Sequence, residues 1–282
     1  MFLRSKKVLQ LRLITTRAWQ CAGPPVMESP FPVLIACGEG LGIEAYELLS
    51  QKLSQAGYNG VAFEFPSEED TPDAGAKMVA QVIEENKLIP PVMIAHSMST
   101  YVAYKFLESY SFKGLVLLNP LPPNSKRAAG VLKEKYDNSI SSGESGGDVS
   151  QVCTYYGGTG EDNADNNDAL LPSTSSLSSF ALSSMPFPVK MLAHIAASDQ
   201  VLLEPGAVPA LVCVTPQDSD ILSKEEGEEK ALLEFFHINV SNDSDDDNNL
   251  MRIQAGDVSM GRASVLNDEE SVSRIVEWID TL

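Results

Sequence analysis

The chain has 282 residues, 43% hydrophobic and 21% charged, with 20 basic against 39 acidic side chains and a formal net charge of −19. That length suits one large α/β domain or two small ones, and the apolar fraction is enough for a sizeable core. Such an acidic chain repels nucleic-acid phosphates and anionic lipid surfaces, which argues against both as partners, and no stretch approaches the roughly 18 consecutive apolar residues of a membrane span.

The charge is uneven. Residues 1–27 carry Arg4, Lys6, Lys7, Arg12 and Arg17 and no acidic side chain. This basic, amphipathic, acid-free start has the pattern of a mitochondrial transit peptide and gives the expectation of matrix targeting, with the cytoplasm as the alternative. A secretory signal fits less well, because Arg12 and Arg17 interrupt the apolar run. Cys21, Cys37, Cys153 and Cys213 are isolated, so no zinc spacing can be written, and small buried hydrophobes in a reducing compartment are the expectation.

From Phe31 onward short apolar runs alternate with helical periods, the signature of parallel strands joined by crossover helices. Residues 31–37 (FPVLIAC) predict a strand, and Ala45, Leu49, Leu53 and Ala56 share a helical face that Gly57 closes. Residues 60–65 (GVAFEF) predict a second strand, stopped by Pro66. Thr71-Pro72 opens a helix as N-cap and first position, and Pro90-Pro91 ends it. Residues 92–95 predict a short buried strand, Met98, Val102 and Phe106 an amphipathic helix, and residues 114–118 another strand. The β-α-β-α-β-α-β order gives a doubly wound, mostly parallel sheet.

Residues 124–186 are dominated by Ser, Gly, Asn and Asp and cannot bury enough apolar surface to offset their ordering entropy, which predicts a partly disordered insertion. A helix over about 189–203 returns the chain to the core, followed by a strand over 210–214, a helix over 224–236, an acidic tract over 241–249 and a last strand over 250–254. The final helix starts at the capping box Asn267-Asp268-Glu269-Glu270 and carries Val272, Ile275, Val276 and Ile279 on one face.

The chemistry concentrates in residues 92–106, where a buried strand runs through Ala95-His96-Ser97-Met98-Ser99 directly into a helix. A strand, a sharp turn with a serine at its tip and a helix make a nucleophile elbow, which needs small residues two before and two after the serine. Ala95 and Ser99 occupy the places of the usual glycines. On these residues the chain from about Phe31 to Leu282 resembles the α/β-hydrolase superfamily, with the first two of its usual eight strands lacking and a low-complexity insertion in the place of the cap.

The resemblance divides the chain into a targeting-like segment (1–27), the amino-terminal half of the core (28–123), the cap insertion (124–209) and the carboxyl-terminal half (210–282). It implies that Ser97 is the nucleophile and that the backbone N–H of Met98 is one oxyanion donor. Cys37-Gly38-Glu39-Gly40 is similar to the family's H-G-x-G loop with cysteine for histidine, and the N–H of Glu39 is then the second donor. The acid falls on Asp218, with Asp220 a close alternative. Where the family has its histidine, after the last strand, this chain has Asp257. The remaining candidate bases are His237, His194 and, least suited, His96 beside the nucleophile. A serine without an imidazole is a poor nucleophile at neutral pH. Two readings lead, a serine esterase or acyl hydrolase (or acyltransferase) taking a small ester or thioester and a pseudo-hydrolase that keeps the fold as a binding or assembly module, with a non-hydrolytic enzyme reusing the pocket behind them. Neither calls for a metal or cofactor, since Gly38-Glu39-Gly40 lacks dinucleotide and P-loop spacing and the acidic run at 244–247 lacks EF-hand spacing.

Overall fold

The structure, a computed structural model, describes residues 16–19, 31–38, 41–65, 71–141, 191–192, 194–196, 201–202, 204, 206–223, 227–238, 249–252 and 264–282. Seven strands form one sheet: β1 (Thr16–Trp19), β2 (Val33–Ala36), β3 (Gly60–Phe63), β4 (Val92–His96), β5 (Gly114–Leu118), β6 (Ala210–Val214) and β7 (Leu250–Arg252), in the spatial order β1-β3-β2-β4-β5-β6-β7. All neighbours are parallel except β1 and β3. The central strands are apolar without alternation because both faces are covered, and every residue of β2 to β6 is buried.

The covering helices are α1 (Glu47–Gln55), α2 (Pro72–Asn86), α3 (Ser99–Leu107), α4 (Lys126–Ser141), α5 (Glu228–Phe235), α6 (Ser264–Asn267) and α7 (Glu269–Asp280), and residues 191–192 and 194–196 are also helical. Local chemistry sets their ends. Thr71 Oγ1 accepts the Ala74 N–H at 3.2 Å to start α2, and Lys87 ends it in the left-handed region at φ 56°. Asp268 caps α7 by accepting the Ser271 N–H at 2.8 Å, one residue later than the sequence box predicts, because Asn267 still belongs to α6.

Strand β1 corrects the expectation that the core begins at Phe31 and lacks two strands. Four residues of the basic amino-terminal segment pair antiparallel with β3, Thr16 opposite Phe63 and Trp19 opposite Gly60. The anchor is Trp19, whose ring packs where a Cβ on Gly60 would come within 2.3 Å, and whose Nε1 donates to the Tyr58 carbonyl at 3.1 Å. A short, mostly exposed edge strand shows no apolar period, so nothing in its sequence announces it.

The insertion is also more ordered at its ends than its composition predicts. It opens as α4, with Ala128, Ala129 and Leu132 buried and Ser125 Oγ accepting the Ala128 N–H at 3.0 Å. The returning helix ends before residue 201: Val201 N–H donates to Asn124 Oδ1 at 2.7 Å and Leu202 N–H to Glu108 Oε1 at 2.8 Å. Glu228 at the start of α5 fastens α4 from the other side, accepting from Ser125 Oγ at 2.6 Å and Arg127 Nε at 2.9 Å. Residues 142–190 and the acidic tract over 241–248 lie outside the described residues.

Candidate active site

In a parallel sheet the loops beyond the carboxyl ends of the strands gather at one edge, and there ligands bind. Ser97 follows the last residue of β4 at that edge, with φ at 54°. A non-glycine residue in the left-handed region is strained, and the turn holds it there. Ser97 N–H donates to Leu118 O at 2.8 Å, Thr100 N–H donates to Ser97 O at 3.0 Å, and Thr100 Oγ1 donates to the same carbonyl at 2.6 Å. Met98, at φ −60°, leads into α3, so its N–H lies in the first turn, where helix amides favour developing negative charge. Strand, strained serine and helix thus form the elbow that the sequence predicts. Ser97 is buried, at 3% exposure.

The loop after β2 is fastened to this turn by two residues of the elbow, His96 and Ser99. Ser99 Oγ donates to Cys37 O. Gly38 N–H donates to Tyr46 Oη at 2.7 Å, and Tyr46 Oη pairs with His96 Nδ1, also at 2.7 Å. We assign the Tyr46 proton to Nδ1 and the imidazole proton to Nε2, since the hydroxyl then accepts from one side and donates to the other. Gly38 is close-packed on the ring, since a Cβ there would lie 3.1 Å from His96 Nδ1 and the imidazole would have to give by a few tenths of an ångström. Serine at position 99, where the family has glycine, therefore provides a hydroxyl that holds the loop. Cys37 is buried, and burial followed by the charges of Glu64 and Glu44 pushes its thiol pKa up, so it stays neutral. Glu39 lies outside the described residues, and with it the second expected oxyanion donor.

Asp218 sits in a 3-10 turn, Pro216–Asp220, directly beyond β6. Its Oδ2 accepts from Thr215 N–H at 2.9 Å, Thr215 Oγ1 at 3.2 Å and Asn119 Nδ2 at 2.7 Å, and the residue is 2% exposed. Asp220 is the last residue of the turn. Asn119 follows β5 and its N–H donates to Cys213 O at 2.8 Å. Ser97, Asn119 and Asp218 therefore stand at the ends of three adjacent strands. Asn119 was not among the residues the sequence singles out; the signal was an Asn-Pro after a buried strand, which reads as a turn.

The histidines do not assemble with them. His237 follows α5 at φ 56°, exposed, with its ring over Gly206, where a Cβ would come within 2.6 Å of Nδ1. Gly206 precedes β6, and its N–H donates to Phe235 O at 2.8 Å. His237 thus lies at the amino edge of the sheet, a strand length of roughly 13 Å from the edge that carries Ser97. As a candidate base His237 is therefore remote from Ser97, because α5 delivers its last residue to the side of the sheet where Gly206 lies. His194 is exposed on a helical turn whose Met191, Leu192 and Ile195 face the core. His96 is 1% exposed and its Nδ1 is engaged by Tyr46. Asp257 lies outside the described residues.

Away from this edge, a shallow groove of about 250 Å³ runs between β1 and α1, lined by Arg17, Trp19, Glu47, Ser50 and Gln51 among others. Among the described residues no three His, Cys, Asp or Glu side chains are grouped to hold a metal ion, and no helix is long and apolar enough to cross a membrane.

No protein-family profile matches the sequence, and no curated protein does. Solved structures do match along nearly its whole length. A hydrolase from Oleispira antarctica superposes with a TM-score of 0.65 at 16% identity, covering 95% of this chain and 94% of its own. A thermophilic esterase from Thermogutta terrifontis gives 0.65 at 16%, covering 95% and 93%, and an esterase from Exiguobacterium antarcticum 0.63 at 13%, covering 95% of each. The chain has the α/β-hydrolase fold.

Proposed function

We propose that this protein is a serine esterase or acyl hydrolase acting on a small carboxylic ester or thioester, with Ser97 as nucleophile and Asp218 as the acid. The observation that carries the reading is the left-handed backbone of Ser97 between β4 and α3, braced on one side by Tyr46 and Ser99 and level with a buried carboxylate two strands away. Strain of this kind costs about 1–3 kcal/mol and clusters at working sites. The chemistry is acyl transfer: the Ser97 oxygen bonds to the carbonyl carbon as its proton passes to a base, and the Met98 N–H and, in this reading, the Glu39 N–H hold the oxyanion. The C–O or C–S bond breaks as the alcohol or thiol leaves with that proton, and water then splits the acyl-serine through the same base, whose charged form Asp218 stabilises.

A second reading, a binding module on a hydrolase scaffold, is favoured by one observation: His237 sits at the wrong edge, His194 is exposed and His96 is engaged by Tyr46. A fluorophosphonate probe separates the two. Labelling of the purified chain that disappears in Ser97→Ala supports the esterase; no labelling of the intact chain supports the binding module; labelling that survives in Ser97→Ala refutes the nucleophile. Loss of labelling in His194→Ala would assign the base.

For localisation the proposal is mitochondrial import directed by Arg4, Lys6, Lys7 and Arg12, upstream of β1. A reporter fused to residues 1–30 that is not taken up by isolated mitochondria would remove it.

A further inference from the structure

We propose that Asn119 is a positioning residue for the Asp218 carboxylate and sets its place relative to Ser97; the proposal rests on the reading of Ser97 and Asp218 as the site. Asn119 is the first residue past β5, the strand between the one that ends at the serine turn and the one that ends at the acid. It is tied to both neighbours. Its N–H donates to Cys213 O at 2.8 Å, continuing the β5–β6 ladder by one step, and Leu118 immediately before it accepts the Ser97 N–H at 2.8 Å. The side chain then reaches over the end of β6, where Nδ2 donates to Thr215 Oγ1 at 2.8 Å and Asp218 Oδ2 at 2.7 Å.

Two properties of asparagine are used together. The backbone sits at φ 49°, a region that asparagine tolerates better than other side-chain-bearing residues apart from aspartate. The amide presents two N–H donors from one nitrogen, so a hydroxyl and a carboxylate oxygen can be served at once. Aspartate would keep the backbone and place a second carboxylate against the first; leucine or alanine would lose both the donors and the conformation. With Thr215 N–H and Oγ1 also on Oδ2, that carboxylate oxygen takes donors both from its own turn and, through Asn119, from the end of β5. Asn119 thus connects the position of the acid to the strand beside the nucleophile.

The test uses the full chain with Asn119→Gly, which keeps the left-handed backbone and removes the donor, and Asn119→Asp, which keeps the shape and reverses the electrostatics. Fluorophosphonate labelling rates are measured across pH, with thermal unfolding at pH 5 and pH 8. The expected result is labelling about tenfold slower in Asn119→Gly, the worth of one charge-assisted hydrogen bond. In Asn119→Asp the labelling profile moves to higher pH, because two carboxylates in contact share a proton. Its unfolding midpoint falls further below wild type at pH 8 than at pH 5, a pair ionised in the unfolded chain being costly to ionise when folded. A purely structural staple would lower both midpoints and leave the pH profile of labelling in place, which overturns the proposal, as does wild-type labelling in both variants. If the wild type never labels, the esterase reading fails, and unfolding still decides the contact: a gap for Asn119→Asp that is the same at both pH values overturns it, and a gap that widens with pH supports it. Should Asn119→Asp fold at neither pH, the Asn119→Gly labelling rate and profile, or the loss in its midpoint where nothing labels, decide in the same sense.

Discussion

Replacing Tyr46 by Phe removes one oxygen from the interior and tests whether the loop after β2 is held by the elbow. The ring stays, edge-on to His96 with centroids 5.9 Å apart, so the apolar packing of this fully buried residue is nearly unchanged. Lost are the acceptor of the Gly38 N–H and the partner of His96 Nδ1, each at 2.7 Å. A buried polar group deprived of its partner costs about 1–3 kcal/mol, so two of them cost about 2–4 kcal/mol once local relaxation is allowed. For a domain of this size that lowers the unfolding midpoint by roughly 5–10 °C. Calorimetry of the purified variant measures it, and fluorophosphonate labelling reads the second consequence, a slower reaction from a loosened oxyanion loop. Ser99→Ala removes the other tie, the hydroxyl on Cys37 O. Because both act on one loop, the double variant departs from additivity by about 0.5–3 kcal/mol. A Tyr46→Phe protein as stable as wild type, or an additive double variant, would refute the idea that His96 and Ser99 brace this loop.

Ser97→Gly relieves the left-handed strain and is expected to raise stability by about 1 kcal/mol while abolishing labelling; a destabilised Gly variant would mean that the turn is not strained. Glu228→Gln weakens the contacts to Ser125 and Arg127 that fasten α4 to α5, and chemical denaturation should show a loss of about 2 kcal/mol; no loss would show the insertion to be held elsewhere. Gly60→Ala puts a methyl 2.3 Å from the Trp19 indole and 2.4 Å from the Val33 carbonyl, so both the β1 edge and the β2–β3 pairing must shift and the midpoint should fall; a wild-type midpoint would show that both neighbours absorb the methyl. The pKa of Glu64 is raised by burial, against the Ile43 N–H that it accepts and with the help of nearby Glu44. A carboxyl with a folded pKa above its unfolded value contributes stability below the unfolded value and loses it as pH rises through the folded one. Glu64→Gln, which can still accept from Ile43, should therefore gain on wild type between pH 4 and pH 7, and a difference in midpoint that does not change over that range would exclude the effect.

The parallel core was legible because burial on both faces leaves a composition that survives without context: residues 33–36, 92–95, 114–118 and 210–214 are apolar runs of strand length, and all four are buried throughout. The elbow was legible for a related reason, since a serine between a buried strand and an amphipathic helix has few other conformations available. Strand β1 was not, because its stability comes from one indole seated on a glycine forty-one residues away. Nor was the start of the insertion, where Ala128, Ala129 and Leu132 are too few to stand out against the surrounding Ser and Gly but are enough once Ser125, Arg127 and Glu228 fix the helix.

The histidines show where sequence distance and spatial distance separate. His237 follows β6 by an interval that could have carried it to either edge of the sheet, and what decides is the length and direction of α5. Eight residues at about 1.5 Å rise span about 12 Å, close to the roughly 13 Å of the five-residue β6, so a helix that starts level with Asp218 ends level with Gly206. A base on this helix would have to come from its first turn, where Glu228 is already bound to Arg127 and Ser125. His96 fails for the opposite reason: it is adjacent to the nucleophile, and that adjacency aims its ring at Tyr46 and Gly38, beneath the loop that Ser97 needs in place. Under the esterase proposal His96 shapes the site and does not take the proton, so Tyr46→Phe should slow labelling without moving its pH profile, whereas a base relieved of its Tyr46 partner would shift the profile.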